Sequence, residues 1–402
     1  MSNHLSSSIP KETRATPILH GAILTTFMGA SSVPTPLYHL YQETWKFSST
    51  TLTMIFAVYA FGLLAALLIG GKISDHIGRR PTICTALIGE LAAIVIFHQS
   101  NNADWLIAAR LVQGLATGIA TSSIGAALLD VNKQRGALIN SVTPLGGMAI
   151  GTILCSLLVV FAPYPMRLIY DLLFVIVIIE AVLIWITPET ADIHPGALKS
   201  LKPSILVPHQ ARTMLMSISP LNISTWGLGG FYLSLMPSIV IKATGSSSVL
   251  LGGLTVSLLT ISGAISIAYF RHHATHHILY RGALLVCSGV MLIVVGTNLH
   301  ITWLMLAGST LAGLGFGSCF LGILRSLMPL AEPRQRAGLM AAYYLESYLA
   351  FSLPAIGAGI LAQHIGLIPT VTIYGSAIIT LVILAVITLQ ITIRRHITPD
   401  PA

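Results

Sequence analysis

Three acids interrupt otherwise apolar stretches of this 402-residue chain: Glu90, Glu180 and Glu346. Asp171 sits near the outer end of the stretch that holds Glu180, one helical turn from Arg167. A carboxyl taken from water into apolar surroundings favours its protonated form, while a neighbouring guanidinium favours the ionised form. An acid that alternates between the two settings can load and release a proton, so these four are the candidates for proton coupling. Arg110 alone among the Lys and Arg residues lies inside an apolar run. A guanidinium is expensive there and marks a functional site by default. With Gln113 and Thr117 it falls near one helical face, where it would meet an acid or an anionic solute.

Other side chains suit a solute-binding cavity. Asn222, Trp226, Gly229 and Tyr232 recur at helical spacing, and Tyr38, Tyr59 and Tyr343 add adaptable ring surface. The segment Ser31-Ser-Val-Pro34-Thr-Pro36 breaks a helix and frees carbonyls that can line a cavity. Four scattered cysteines read as small packing residues rather than a disulfide or metal framework. His272, His273, His276 and His277 would pair at i,i+4, but beside Arg271 they read as a solvated basic turn. No metal and no cofactor is expected. Nucleotide loops, nucleophile elbows and paired-aspartate metal motifs are missing from the sequence, which argues against an enzyme.

The elements that must position these groups follow from composition. Hydrophobic residues make up 54% of the chain and charged ones 8%, with a mean hydropathy of +0.83. Soluble domains carry about 25% charged residues, so a bilayer must solvate most of this surface and helices must satisfy the backbone. Apolar runs predict twelve spans, at 17–41, 50–70, 81–98, 104–129, 136–162, 167–187, 213–240, 248–270, 279–298, 301–327, 337–363 and 368–392. The polar stretch before the first run predicts a retained helix rather than a cleaved signal.

Of the 21 Lys and Arg residues, 17 then fall on one side, among them Lys11, Arg14, Arg394 and Arg395. Lys46, Arg167 and Lys242 fall on the other. The positive-inside rule places both termini in the cytoplasm. The same asymmetry accounts for the net charge of +8 without nucleic acid. Residues 188–212 hold no apolar run of membrane length and read as a cytoplasmic linker between a first half, 1–187, and a second, 213–402. The halves echo one another: Gly114-Leu115 with Gly118 matches Gly313-Leu314 with Gly317, and Trp105 and Trp303 precede them at similar distances. Such repeats fit parallel halves related by an axis along the membrane normal.

Between the second and third spans runs Gly71-Lys-Ile-Ser-Asp75-His-Ile-Gly78-Arg79-Arg80-Pro81. It resembles the loop signature of the major facilitator superfamily, with His76 where that family usually carries Arg or Lys. Arg110 with Gln113-Gly114 resembles a second family signature. Asn140, Pro144, Gly146, Gly147 and Gly151 resemble the glycine-rich stretch in the fifth helix of the family's antiporters, with Thr143-Pro144 in place of Gly-Pro. Pro188-Glu189-Thr190 resembles the family's ending of the sixth helix.

The resemblance spans essentially the whole chain. It implies an all-α membrane protein of twelve helices in two pseudo-symmetric six-helix bundles, in a bacterial cytoplasmic membrane, acting as a monomer. It implies that Gly71, Asp75, Gly78, Arg79 and Arg80 latch the halves at the cytoplasmic gate, and that the eleventh helix, with Glu346, lines the cavity. The expected function is proton-coupled efflux of small organic solutes by alternating access, with Arg110 modulating Glu346. The expected partners are a small-molecule solute, the proton and the bilayer. Proton-coupled uptake of a metabolite is the alternative, and a membrane enzyme or sensor a distant one. The first span carries no acid, unlike many of the family's proton-driven drug exporters.

Overall fold

The computed structural model describes residues 15–246 and 248–397, except the side chains of residue 15 and residues 392–397. Lys11 and Arg14, and the side chains of Arg394 and Arg395, lie outside what it describes. Regular structure among the described residues is helical throughout. The first group of helices is α1 (Ala15–Ser32), α2 (Pro34–Trp45), α3 (Ser49–Gly70), α4 (Ser74–Ile77), α5 (Arg79–Gln99), α6 (Ala103–Val131), α7 (Lys133–Phe161) and α8 (Leu168–Leu183). A short α9 (Ala197–Ser200) lies in the connecting stretch. The second group is α10 (His209–Ser234), α11 (Met236–Thr244), α12 (Val249–Phe270), α13 (Thr275–Asn298), α14 (Thr302–Leu327), α15 (Arg336–Ile365) and α16 (Leu367–Ile397).

Ten of the described helices are long and apolar enough to cross a membrane. The first and seventh expected spans are not continuous helices. Val33 separates α1 from α2, and Leu235 separates α10 from α11. The cause is Pro34 and Pro36 in one case and Pro237 in the other, since a proline supplies no N–H to the preceding turn. Polar residues such as His20, Thr25 and Thr26 in α1, and Ser219 and Asn222 in α10, also dilute these two segments. A count of twelve spans rests on taking each broken pair as one span.

Helices joined by short turns alternate in direction, so the chain has two sides. The basic side carries the turns after α3, α6, α12 and α14, together with the stretch holding α9. The far side carries the remaining turns. The glycine repeat has a structural meaning. A Cβ added at Gly114 would fall 2.2 Å from the Tyr59 carbonyl oxygen, and one at Gly118 would fall 2.6 Å from that of Leu63. In the second group, a Cβ added at Gly313 or Gly317 would fall 2.2 Å from the Leu259 carbonyl oxygen or 2.1 Å from that of Gly263. Both groups thus pack α6 on α3, and α14 on α12, backbone against backbone, as small residues permit in lipid.

The two groups meet through α3 with α15 and through α7 with α12. Thr50 of α3 donates to Gln363 of α15, Phe56 packs against Phe351 at 4.9 Å, and Ser257 of α12 donates to the Ala149 carbonyl at 3.2 Å. Thr35 of α2 donates to the Leu233 carbonyl at 3.0 Å. These contacts run from mid-depth to the far side, and toward the basic side the groups part.

Candidate functional site

Between the parted groups lies a cavity of two adjoining chambers. The one at the basic side measures about 240 Å³ and is bordered by Gly71, Lys72, Gly125, Asn140, Lys202, Met340 and Tyr344. The inner one measures about 120 Å³ and is walled by Met28, Tyr59, Leu63, Pro144, Met148, Trp226, Gly229, Phe316, Phe320, Tyr348 and Phe351. Leu67, Thr121, Asn140 and Tyr344 border both. Trp226 is the hub: Tyr348 stands 5.2 Å from it and Phe351 5.8 Å, with Phe316 and Phe320 each at 6.4 Å. Among the described residues no Asp or Glu lines either chamber, and the cations at the mouth are Lys72 and Lys202. Such a wall offers ring surface and shape, with Asn140 and Thr121 among its polar groups.

Of the expected cavity residues, Tyr59, Trp226 and Gly229 line it. Tyr232 is buried and bonds Ser309 on α14 at 2.8 Å. Tyr343 is buried too and accepts a hydrogen bond from Trp226 Nε1 at 3.3 Å. Asn222 points from α10 to α15, where its Nδ2 donates to Glu346 Oε1 at 2.9 Å. Glu346 therefore does not face the cavity: its other oxygen accepts from Ser219 at 2.8 Å. The reason is angular. Tyr344, Tyr348 and Phe351 present one face of α15 to the cavity, and two residues of rotation carry Glu346 to the opposite face. The i, i+4, i+7 spacing of those rings, and of Phe316 with Phe320, was the signal in the sequence for the true lining.

Arg110 is also withdrawn from the cavity. Its Nη1 donates to the Ser31 carbonyl at 2.7 Å and to Gln113 Oε1 at 2.8 Å. Gln113 Nε2 in turn donates to Glu90 at 2.9 Å. Cavity-lining Tyr59 lies over the guanidinium at 4.6 Å, and Tyr38 stands 6.0 Å away. Thr117 donates to the Gln113 carbonyl and holds that helical turn. Arg110 thus stands one layer behind the wall, linked through a neutral amide to Glu90, which is fully buried. The second carboxyl oxygen of Glu90 has no partner. Glu180 resembles it: one oxygen accepts from Thr26 at 2.7 Å and the other has no partner. Asp171 pairs with His98 at 3.1 Å, well exposed and apart from the cavity.

The loop Gly71–Pro81 is knitted into the first group and its exit. Arg79 pairs with Asp75 and, at 3.0 Å, with Asp130 at the end of α6. Glu189 receives the backbone N–H groups of Arg79 at 2.8 Å and Arg80 at 3.1 Å, closing the N-terminus of α5 from outside the helix. Burial of its carboxyl is outweighed by these N–H groups and those of Thr190 and Ala191, so its pKa lies below the ordinary carboxylate value. Gly78 makes this approach possible with φ of +100°, and a Cβ there would sit 2.7 Å from Glu189 Oε2. Arg80 donates to the Trp185 carbonyl and stacks on that indole. A latch between the two groups is not made here. The loop's ion pairs stay within the first group, because the basic side is open.

Two groups of long apolar helices around an aromatic cavity are the architecture of a multi-pass membrane protein. The chain belongs to the Major Facilitator Superfamily, whose family model matches residues 20–300. It is 27% identical over 209 residues to a multidrug resistance protein, MdtL, of Shewanella oneidensis, covering 49% of this chain and 50% of that protein. It is 31% identical over 116 residues to a metabolite transport protein, YdjK, of Escherichia coli K12, covering 28% and 25%. The matched segments thus span half or less of these relatives. The fold is similar to a partially occluded, inward-open structure of the xylose transporter XylE from E. coli, with a TM-score of 0.70 at 11% identity over 92% of this chain and 96% of that one.

Proposed function

We propose that the chain is a secondary transporter that exports small, largely apolar organic molecules in exchange for protons. The observation that carries this reading is the apolar, aromatic cavity around Trp226, open to one side and sealed by interdigitating helices at the other. Residues 1–187 and 213–402 act as two units that rock about this cavity, joined by the linker 188–212. The basic side is the cytoplasmic one by the positive-inside rule, which sets both termini in the cytoplasm of a bacterial cell. One chain encloses the cavity, so a monomer suffices. The partners are then a small-molecule solute, the proton and the bilayer. The relatives' names, multidrug resistance and metabolite transport, are in keeping with organic solutes.

Glu346 remains the first proton carrier, acting from behind the wall. As a carboxylate it accepts from Asn222 and Ser219 of α10. A proton on it turns one of these contacts around, and α10 carries Trp226. Protonation therefore reads out as a shift of α10 against α15, next to the solute. Glu90 is the second candidate, since its unpartnered oxygen is a place for a proton and Gln113 ties it to Arg110 behind Tyr59.

The test is dye or solute flux in proteoliposomes with a pH gradient of either sign. Exchange predicts uphill solute movement against the inward proton flow. Glu346→Gln should abolish the pH drive and spare solute–solute counterflow. Proton-driven flux that survives both Glu346→Gln and Glu90→Gln would sink the carrier assignment. Solute and proton moving in the same direction would favour metabolite uptake instead.

A further inference from the structure

We propose that the cleft between α7 and the ends of α12 and α14 binds the phosphate headgroup of an anionic phospholipid from the leaflet on the basic side. The cleft measures about 670 Å³. Arg135 approaches it from the first helix group, and Arg271, His272 and Arg325 approach it from the second. Among the described residues no Asp or Glu lines it. Among the described residues none of the three arginines has a carboxylate partner, and every ion pair lies in the first helix group.

A basic side by itself requires only that cations be present there. It does not require three guanidinium groups from two helix groups to converge without an acid. Arg325 is held in place by backbone, donating to the carbonyls of Arg271 and His273. Arg271 Nε bonds His272, leaving its two terminal nitrogens free to take an anion. Guanidinium forks match phosphate oxygens in geometry as well as charge.

The floor chooses lipid over a soluble anion. Leu138, Ile267 and Leu321 line the same cleft beneath the arginines. Headgroup and chain would thus meet matching surfaces at the depth where spanning helices end. Arg135 and Arg271 also line this opening from opposite helix groups. Like charges resist its closure, and a bridging phosphate removes that resistance. The site rests on the chain spanning a membrane and not on any coupling to protons.

The experiment uses the purified full-length chain in nanodiscs of phosphatidylcholine with increasing phosphatidylglycerol, and reads co-purified lipid by mass spectrometry and melting temperature by fluorescence. Wild type should retain phosphatidylglycerol and melt higher as its fraction rises. Arg135→Gln/Arg271→Gln should weaken retention about tenfold or more. Arg135→Gln alone, on an exposed helix surface, should weaken it in part and guards against misfolding of the double variant. Lys199→Gln, which removes an equal charge on the same side outside the cleft, should change nothing. Equal retention by wild type and both arginine variants would overturn the proposal. So would inorganic phosphate matching the lipid's stabilisation in pure phosphatidylcholine, which would make the cleft a soluble-anion site. Neither outcome touches the solute–proton reading, because no transport is measured.

Discussion

The hydroxyl of Thr35 donates to the carbonyl of Leu233 at 3.0 Å, joining the two broken helices across the boundary between the helix groups. In an unbroken helix that carbonyl would accept from the N–H of residue 237, but residue 237 is proline. The break in α10 thus leaves a buried acceptor, and the break in α1 delivers the donor just beyond its own proline. One group completes the backbone of the other, and the far side is sealed where they meet.

Thr35→Val should therefore open the far side more often. A buried carbonyl left without a donor costs about 1–3 kcal/mol, which corresponds to roughly fivefold or more in the balance of closed and open forms. Thr35→Ser keeps the donor and should behave as wild type. Labelling of cysteines placed along the far-side path reads the balance, and equal labelling of Val and Ser variants would refute the role.

The glycine repeat makes a contrast prediction. Gly114→Ala and Gly313→Ala drive a methyl into carbonyls 2.2 Å away and should each cost about 1–3 kcal/mol. Gly146→Ala, with nothing within 4 Å, should be neutral or slightly stabilising, since alanine favours a helix by about 1 kcal/mol. Thermal melting in one detergent compares all three.

Trp226→Ala removes the hub of the ring cluster and should lower apparent solute affinity at least tenfold, while Trp226→Phe should retain most of it. The KM of solute flux is the readout. An unchanged KM in the alanine variant would remove the inner chamber as the binding site.

Acidification should loosen the Gly71–Pro81 loop through Glu189. Its folded pKa is depressed below the ordinary carboxylate value by four backbone N–H groups. Its contribution is therefore complete above the unfolded pKa and is lost as pH falls through the folded one. Wild type should melt above Glu189→Gln at neutral pH, with the gap closing on acidification below the ordinary carboxylate range. A gap that stays constant with pH would mean that size and shape, not charge, hold the loop.

Much of the fold was legible in local pattern. Apolar run length marked nearly every long helix, because lipid leaves the backbone no other partner. The paired glycines announced helix contacts that repeat in both groups, and the loop signature placed Asp75, Gly78 and Arg79 in one turn. Pro34, Pro36 and Pro237 mark in the sequence where helices break.

What each break would touch was not legible, since Thr35 and Leu233 lie 198 residues apart. Nor was the facing of Glu346, Arg110, Tyr232 and Tyr343. Residue type makes a polar side chain costly in lipid, but only the packed neighbours decide whether it turns to the cavity or to another helix. The sequence by itself determined that this chain spans a membrane, where its long apolar helices run and which residues it must not leave alone in lipid. The tertiary structure decided which partner each received, because burial and hydrogen bonding are satisfied between helices rather than along them.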